Sequence, residues 1–170
     1  MVFDSWAGEL GPSSYRQFSE PYLKQIAEKL PAKLQSLGLE KVPMTVFPKG
    51  AWYALDSACN LGYNVVGMDW LHDPKEAVKI RGDRNIVFQG NADPGVLYGT
   101  KEAITKAVEE MVEGFWVGNK GWIANLGHGM WSTILSQVKR RLIKAGITPG
   151  VNPDHLKHYF EEIHRLTKKN

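Results

Sequence analysis

The stretch "YNVVGMDWLHDPKEAVKIRG", residues 63–82, contains one strand followed by one helix. Its first half is apolar with little polar alternation, which is typical of a strand buried on both faces of a parallel sheet. Its second half begins a helix, because Asp73 can cap the first turn, Pro74 suits the first helical position and Glu76 can reach back to the cap. The stretch therefore predicts one β/α unit of a parallel α/β fold.

The same unit recurs outward in both directions. Strand-like segments are "MVFDSW" (1–6), "PMTVFP" (43–48), "YNVVGMDW" (63–70), "NIVFQG" (85–90) and "WIANLG" (122–127). Helical patterns follow each of them, at about 13–38, 50–62, 73–82, 100–115 and 152–166. Pro21 and Pro31 are expected to interrupt the first, with Ser13 or Ser14 as its cap. Five alternations of strand and helix predict an α/β fold with a parallel sheet.

The amino-acid composition limits the possible classes of protein but does not identify a function. The 170 residues are 43% apolar and 23% charged, which suits one globular domain over 1–170. A net charge of +3 is too small to indicate nucleic acid. One cysteine, Cys59, permits no internal disulfide and favours a reducing compartment. No apolar run is long enough for a membrane span, and we expect no targeting segment before the first strand. We expect the cytoplasm, with a plastid as the alternative.

Polar or glycine-rich residues follow each predicted strand. They are Asp4 and Ser5, Lys49, Asp69, Gln89 with Asn91 and Asp93, and finally His128. The carboxyl ends of the strands form the active site in both α/β barrels and doubly wound sheets. In "ANLGHG" (124–129) the flanking glycines allow close approach of backbone or ligand and leave the imidazole of His128 as the side chain presented there.

Each of these residues also has a structural interpretation. Asn91 and Asp93 lie in "QGNADPG", which is good turn chemistry. Ser5 is in no nucleophile elbow, Lys49 suits a solvated loop, and a lone histidine is often only a hydrogen-bonding residue. His155 and His158 are three residues apart without a third ligand nearby, so the sequence predicts no zinc site. Phosphate-binding glycine motifs are also absent.

Five blocks together resemble the C-terminal half of the uroporphyrinogen decarboxylase family. They are "FDSWAGELGP", "VPMTVFPKG", "LGYNVVGMDW", "QGNADPGVLYGT" and "IANLGHG", in this order and spacing. The resemblance covers about residues 2–130 and resumes at 152–170. It implies a partial (β/α)₈ barrel, with this chain holding about the last five β/α units.

The resemblance also implies a reaction. The family removes carbon dioxide from the four acetate side chains of uroporphyrinogen, giving coproporphyrinogen for haem synthesis, without metal or cofactor and usually as a homodimer. Phe3 and Ser5 would line the cleft, with Ser5 on a substrate carboxylate. His128 would touch a carboxylate or relay a proton, and Asn91 and Asp93 would shape the cleft floor. Ser5 and His128 are thus the candidate catalytic residues. The candidate substrate-binding residues are Phe3, Ser5, Asn91, Asp93 and His128.

Two departures from the family pattern bear on function. The family's N-terminal half supplies an arginine-bearing loop, an aspartate that holds the pyrrole N–H groups and a tyrosine, and none of these has a match here. Five strands without the rest would leave two open edges and an apolar face, so activity is expected to need that half or a second copy. About 15 residues are also inserted at 130–151, as a basic helical segment.

Two alternatives accompany this reading. A zinc-dependent methyltransferase of the same superfamily needs soft ligands, but "FPKG" stands where its His-x-Cys would be, and Cys59 falls in a helix. A truncated, non-catalytic paralogue that binds a tetrapyrrole or a protein partner is the second alternative, which the inserted segment and the missing carboxylate favour.

Overall fold

A computed structural model describes residues 1–117, 121–127 and 150–168, and its strands form one parallel sheet. The strands are β1 (Val2–Asp4), β2 (Thr45–Pro48), β3 (Val65–Gly67), β4 (Val87–Ala92) and β5 (Trp122–Leu126). Their spatial order is the order of the chain, β1-β2-β3-β4-β5, and each neighbouring pair is parallel. The five predicted strands are therefore confirmed. Four of them are shorter than predicted, and β4 has the predicted length but lies two residues further along the chain.

Helices connect successive strands, and the last helix follows β5. They are α1 (Pro12–Phe18), α2 (Glu20–Ser36), α3 (Leu55–Ala58), α4 (Pro74–Arg81), α5 (Lys101–Phe115) and α6 (Pro153–Thr167), with short 3-10 turns at Ala7–Glu9, Trp52–Ala54 and Pro94–Tyr98. The start of α4 follows the prediction, because the Asp73 carboxylate accepts a hydrogen bond from the Glu76 amide at 2.9 Å.

The first helical segment differs from the prediction. It divides at Ser19 into α1 and α2, and Gly11, not a serine, precedes α1. Pro21 lies in the first turn of α2, where its missing N–H is not needed. Pro31 lies inside α2 without ending the helix. The helix therefore tolerates one lost backbone hydrogen bond there.

One face of the sheet is covered by helices. Val46, Val66 and Phe88 are adjacent in the strand register and are fully buried. The Phe88 ring packs edge-on against Phe115 of α5, whose ring stacks on Trp122 with centroids 5.6 Å apart. The continuous apolar strands of the sequence therefore supply the hydrophobic core between sheet and helices.

The opposite face, here called the open face, carries the row Phe3, Phe47, Gly67, Gln89 and Ile123. At its two edges Phe3 is 62% exposed and Ile123 is 46% exposed. A closed barrel would bury these side chains in its interior. The described residues thus have the architecture of a (β/α)₈ barrel segment with two open sheet edges, as predicted.

The inserted segment at 130–151 lies outside the described residues, apart from Gly150 and Val151. None of the described helices is both long and apolar enough to span a membrane.

Replacing Pro31 with alanine is expected to raise the free energy of unfolding by about 1–2 kcal/mol. Alanine restores the amide that α2 lacks at this position, and part of the gain is offset by the greater freedom of the unfolded chain. Urea unfolding followed by circular dichroism measures the change. Pro21→Ala is the matched control, since Pro21 occupies the first turn, and an equal gain in both variants would contradict the explanation.

Candidate active site

A polar residue lies two positions along the chain after each residue of the open-face row. This set, here called the rim, is Ser5, Lys49, Asp69, Asn91 and Asn125. Ser5, Lys49 and Asp69 follow the last residues of β1, β2 and β3, and Asn91 and Asn125 lie near the ends of β4 and β5. The rim therefore lies at the carboxyl ends of the strands, beside the open face. Asn125 was missed from the sequence, although its offset from Ile123 is the signal that could have found it.

The residues expected to line the cleft at β1 lie at an open edge. Phe3 meets Phe47 edge-on, with ring centroids 6.3 Å apart, and Ser5 is exposed just after the strand. Beyond Ser5, the Gly8 amide donates to the Lys49 carbonyl at 2.8 Å. The loops after β1 and β2 are therefore joined directly through their backbones.

Asp69 is the most deeply buried charged group of the rim, with 2% of its surface exposed. Its carboxylate accepts hydrogen bonds from the amides of Gly50 at 2.5 Å and Leu71 at 3.1 Å, and His72 Nδ1 lies 3.4 Å from Asp69 Oδ1. Burial alone would raise the pKa of this carboxyl group. The hydrogen bonds from His72 and the two amides outweigh burial and hold the pKa below its ordinary value.

Asn91 is buried within the rim. Its amide nitrogen donates to the carbonyl oxygens of Asp69 at 3.0 Å and His72 at 2.7 Å. This geometry ties the end of β4 to the loop after β3. The neighbouring Asp93 is exposed, and its carboxylate accepts a hydrogen bond from the Gly95 amide at 2.8 Å, at the start of a 3-10 turn.

His128 lies between two glycines in the sequence, and the structure explains why the first of them, Gly127, is a glycine. A Cβ atom on Gly127 would lie 2.8 Å from the Trp70 nitrogen and 2.9 Å from Asp69 Cα. Only a glycine lets the end of β5 approach the loop after β3 this closely. His128 itself lies outside the described residues.

Cys59 does not face the rim. It follows α3 and is 4% exposed, and burial raises the pKa of its thiol to about 11. Over the described part of the chain, no three histidine, cysteine or acidic side chains are grouped as metal ligands would be. His155 Nδ1 and His158 Nε2 lie 2.9 Å from the Leu97 carbonyl and the Thr105 hydroxyl, so both rings connect α6 to its neighbours.

The contribution of Asp69 to stability is expected to disappear in acid. Its pKa is lower in the folded than in the unfolded chain, so ionised Asp69 stabilises the fold at neutral pH, and this contribution declines as the pH falls below the ordinary value of 3.8. Asp69→Asn is therefore expected to lose less stability than the wild type between pH 5 and pH 3. Urea unfolding across that range tests this. Asp56→Asn, which changes an exposed carboxylate, is the control.

A parallel β/α barrel segment with a polar rim at the carboxyl ends of its strands defines the class: a (β/α)₈ barrel protein with its candidate active site at that rim. The family model described as "Uroporphyrinogen decarboxylase (URO-D)" matches residues 1–166. The chain therefore belongs to the uroporphyrinogen decarboxylase family.

Curated relatives named uroporphyrinogen decarboxylase agree with this assignment. The one from Schizosaccharomyces pombe is 46% identical over 96% of this chain, that from Danio rerio 39% over 99%, and that from Homo sapiens 35% over 99%. This chain spans 41%, 40% and 41% of their respective lengths. A solved structure titled as a methyltransferase from Methanosarcina mazei matches 98% of this chain and 42% of its own, with a TM-score of 0.66 and 16% identity. That likeness concerns the fold alone.

Proposed function

We propose that this chain is the C-terminal portion of a uroporphyrinogen decarboxylase. Joined to the N-terminal β/α units, it would convert the four acetate side chains of uroporphyrinogen to methyl groups, giving coproporphyrinogen. The observation that carries the proposal is the open face with its rim, in a chain whose sequence matches the family from residue 1 to residue 166. Half of a large cleft, apolar within and polar at its edge, suits a ring that bears many carboxylates.

The proposed chemistry uses the substrate as its own electron sink. A pyrrole carbon next to the acetate-bearing carbon takes a proton and makes the ring cationic. The bond to the carboxylate then breaks, carbon dioxide leaves, and the electron pair enters the ring. The exocyclic methylene carbon takes a proton and the ring returns the first one, so the net change consumes one proton per carbon dioxide. The protein needs to place proton donors, bind carboxylates and stabilise the cation.

Within this chain, Ser5 would donate to a substrate carboxylate from the exposed end of β1, and Phe3 would form part of the apolar wall. His128 would contact a carboxylate or relay a proton. Asn91 and Asp93 would shape the cleft floor through the loop that they hold, without their own side chains reaching the ring. This division is supported by the exposure of Phe3 and Ser5, by the burial of Asn91, and by the hydrogen bond that occupies the Asp93 carboxylate at the Gly95 amide.

The proposed partner is the N-terminal half of the barrel, covalently linked or supplied by another chain, in an assembly that forms a homodimer in the cytoplasm. The exposed Phe3 and Ile123, at opposite edges of the sheet, support a missing partner on both sides. A second copy of this chain would bring five more strands, which does not make the eight of the barrel. The N-terminal units are therefore the better complement.

Reconstitution tests the proposal. The chain alone, the N-terminal half of the Schizosaccharomyces pombe relative alone, and their mixture or fusion are each incubated with uroporphyrinogen, and the products are separated by their number of carboxylates. We expect turnover only in the mixture or fusion. Turnover by the chain alone would contradict the need for the N-terminal half. A well-folded fusion without turnover would overturn the catalytic proposal and leave tetrapyrrole binding as the alternative.

His128→Asn in the same fusion tests the proposed catalytic residue. It is expected to keep the thermal midpoint within a few degrees, while turnover slows or partly decarboxylated intermediates are released. Chromatography of the products distinguishes the two effects. A large loss of thermal stability with unchanged kinetics would show that His128 is structural.

A further inference from the structure

The carboxylate and carbonyl of Asp69 connect three rim loops. The carboxylate holds the Gly50 amide after β2 and the Leu71 amide within its own loop after β3. Its backbone carbonyl accepts from the side chain of Asn91 at the end of β4, at 3.0 Å. Three consecutive loops of the barrel thus converge on one residue that is 2% exposed.

The loop after β1 and the end of β5 also contact the region around Asp69. Gly8, three residues after Ser5, bonds to Lys49 and lies so close to Gly50 that a Cβ on Gly8 would be 2.7 Å from Gly50 Cα. Gly127, which precedes His128, packs against the backbone of Asp69 itself. The loop that carries Ser5 and the turn that leads to His128 therefore lie on opposite sides of Asp69.

We infer that Asp69 is a positioning residue, which sets the separation between the Ser5 loop and the turn before His128 and thereby the fit of the rim to the substrate carboxylates. This inference rests on the proposed function. Asp69 is too buried to touch a substrate, and the donors around it occupy its oxygens, so it acts through Gly50 and Gly127 and not on the ring directly.

The role requires a carboxylate at this position. An ionised aspartate offers two acceptor oxygens and no donor. An asparagine would keep the size, but its amide group would turn two N–H donors toward one of the present donors, Gly50, Leu71 or His72. Asp69→Asn is therefore expected to release one loop of the rim while leaving the sheet beneath it paired.

The first arm of the test uses the chain by itself and needs no substrate. Amide hydrogen exchange by NMR compares wild type, Asp69→Asn and the control Asp56→Asn, whose exposed carboxylate pairs with Arg84 on the outer surface. We expect exchange at Gly50 and Gly8 to rise about tenfold or more in Asp69→Asn, as loss of a hydrogen bond to a charged group implies, with unchanged exchange at Val66. Equal acceleration at Val66, or none at the rim, would overturn the inference.

The second arm uses the fusion with the N-terminal half. Displaced carboxylate-binding loops are expected to raise KM for uroporphyrinogen about tenfold in Asp69→Asn, with a smaller change in kcat, and Asp56→Asn is expected to match wild type. A looser rim with unchanged KM would reject the positioning role. An inactive wild-type fusion would instead reject the proposed function, whereas the exchange pattern would still show whether Asp69 organises the loops.

Discussion

Replacing Phe115 with alanine is expected to lower the free energy of unfolding by about 3–5 kcal/mol. Phe115 is completely buried at the end of α5, where its ring contacts Phe88 on β4 and stacks on Trp122 of β5. Its loss would leave a cavity between the helix and the two strands, in addition to the lost burial of the ring itself. Since domains of this size are stable by only about 5–15 kcal/mol, the variant is expected to be close to unfolding.

Urea unfolding followed by tryptophan fluorescence and circular dichroism measures this effect. Trp116→Ala is the control, because Trp116 is the next residue and is 43% exposed, so its removal is expected to cost about 1 kcal/mol or less. Similar losses in the two variants would contradict the placement of Phe115 in the core. A smaller loss in Phe115→Ala would show that the helix collapses onto the strands.

Replacing Gly8 with alanine is expected to destabilise the chain by about 1–3 kcal/mol, the usual cost of overpacking. The new methyl group would lie 2.7 Å from Gly50 Cα and 3.0 Å from the Lys49 carbonyl oxygen. Both neighbours are backbone atoms, so the clash cannot be relieved by a side-chain rotation. The loops after β1 and β2 would have to separate, which would break the bond from the Gly8 amide to Lys49.

Because Ser5 lies in the displaced loop, the fusion that carries Gly8→Ala is also expected to bind uroporphyrinogen more weakly. Gly11→Ala is the matched control. No atom lies within 4 Å of its added methyl group and its φ is −68°, so its cost is expected to stay within about 1 kcal/mol, the value of a helix cap. Equal effects of the two alanines would contradict an origin of the loss in the contact between the two loops.

The rim was predictable from the sequence in part. Polar residues after buried strands pointed to Ser5 and Asn91, and to Asp93 in the loop after β4, since the carboxyl ends of parallel strands meet at one edge. What each side chain does there was not predictable. The amide nitrogen of Asn91 donates to two backbone carbonyls, and Asp93 caps a turn. These roles depend on the distances to Asp69, His72 and Gly95, which exist only in the folded chain.

The structural role of Asp69 was not predictable from the sequence either. In the sequence it is one carboxylate after a strand, for which capping or a salt bridge is the ordinary interpretation. Its position between Gly50, Asn91 and Gly127 brings together residues that are 19, 22 and 58 positions away along the chain. No local pattern encodes contacts at these separations.

By itself, the sequence determined the five β/α units, the parallel sheet, the family and the edge at which the site lies, because apolar runs, helix caps and residue blocks are local and independent of the rest of the chain. Only the tertiary structure decided which strand face is open, which glycines separate backbones in contact, and which carboxylate joins the loops. The physical reason is that burial and hydrogen-bond partners are properties of atoms brought together across the sheet, and the order of residues along the chain does not contain those distances.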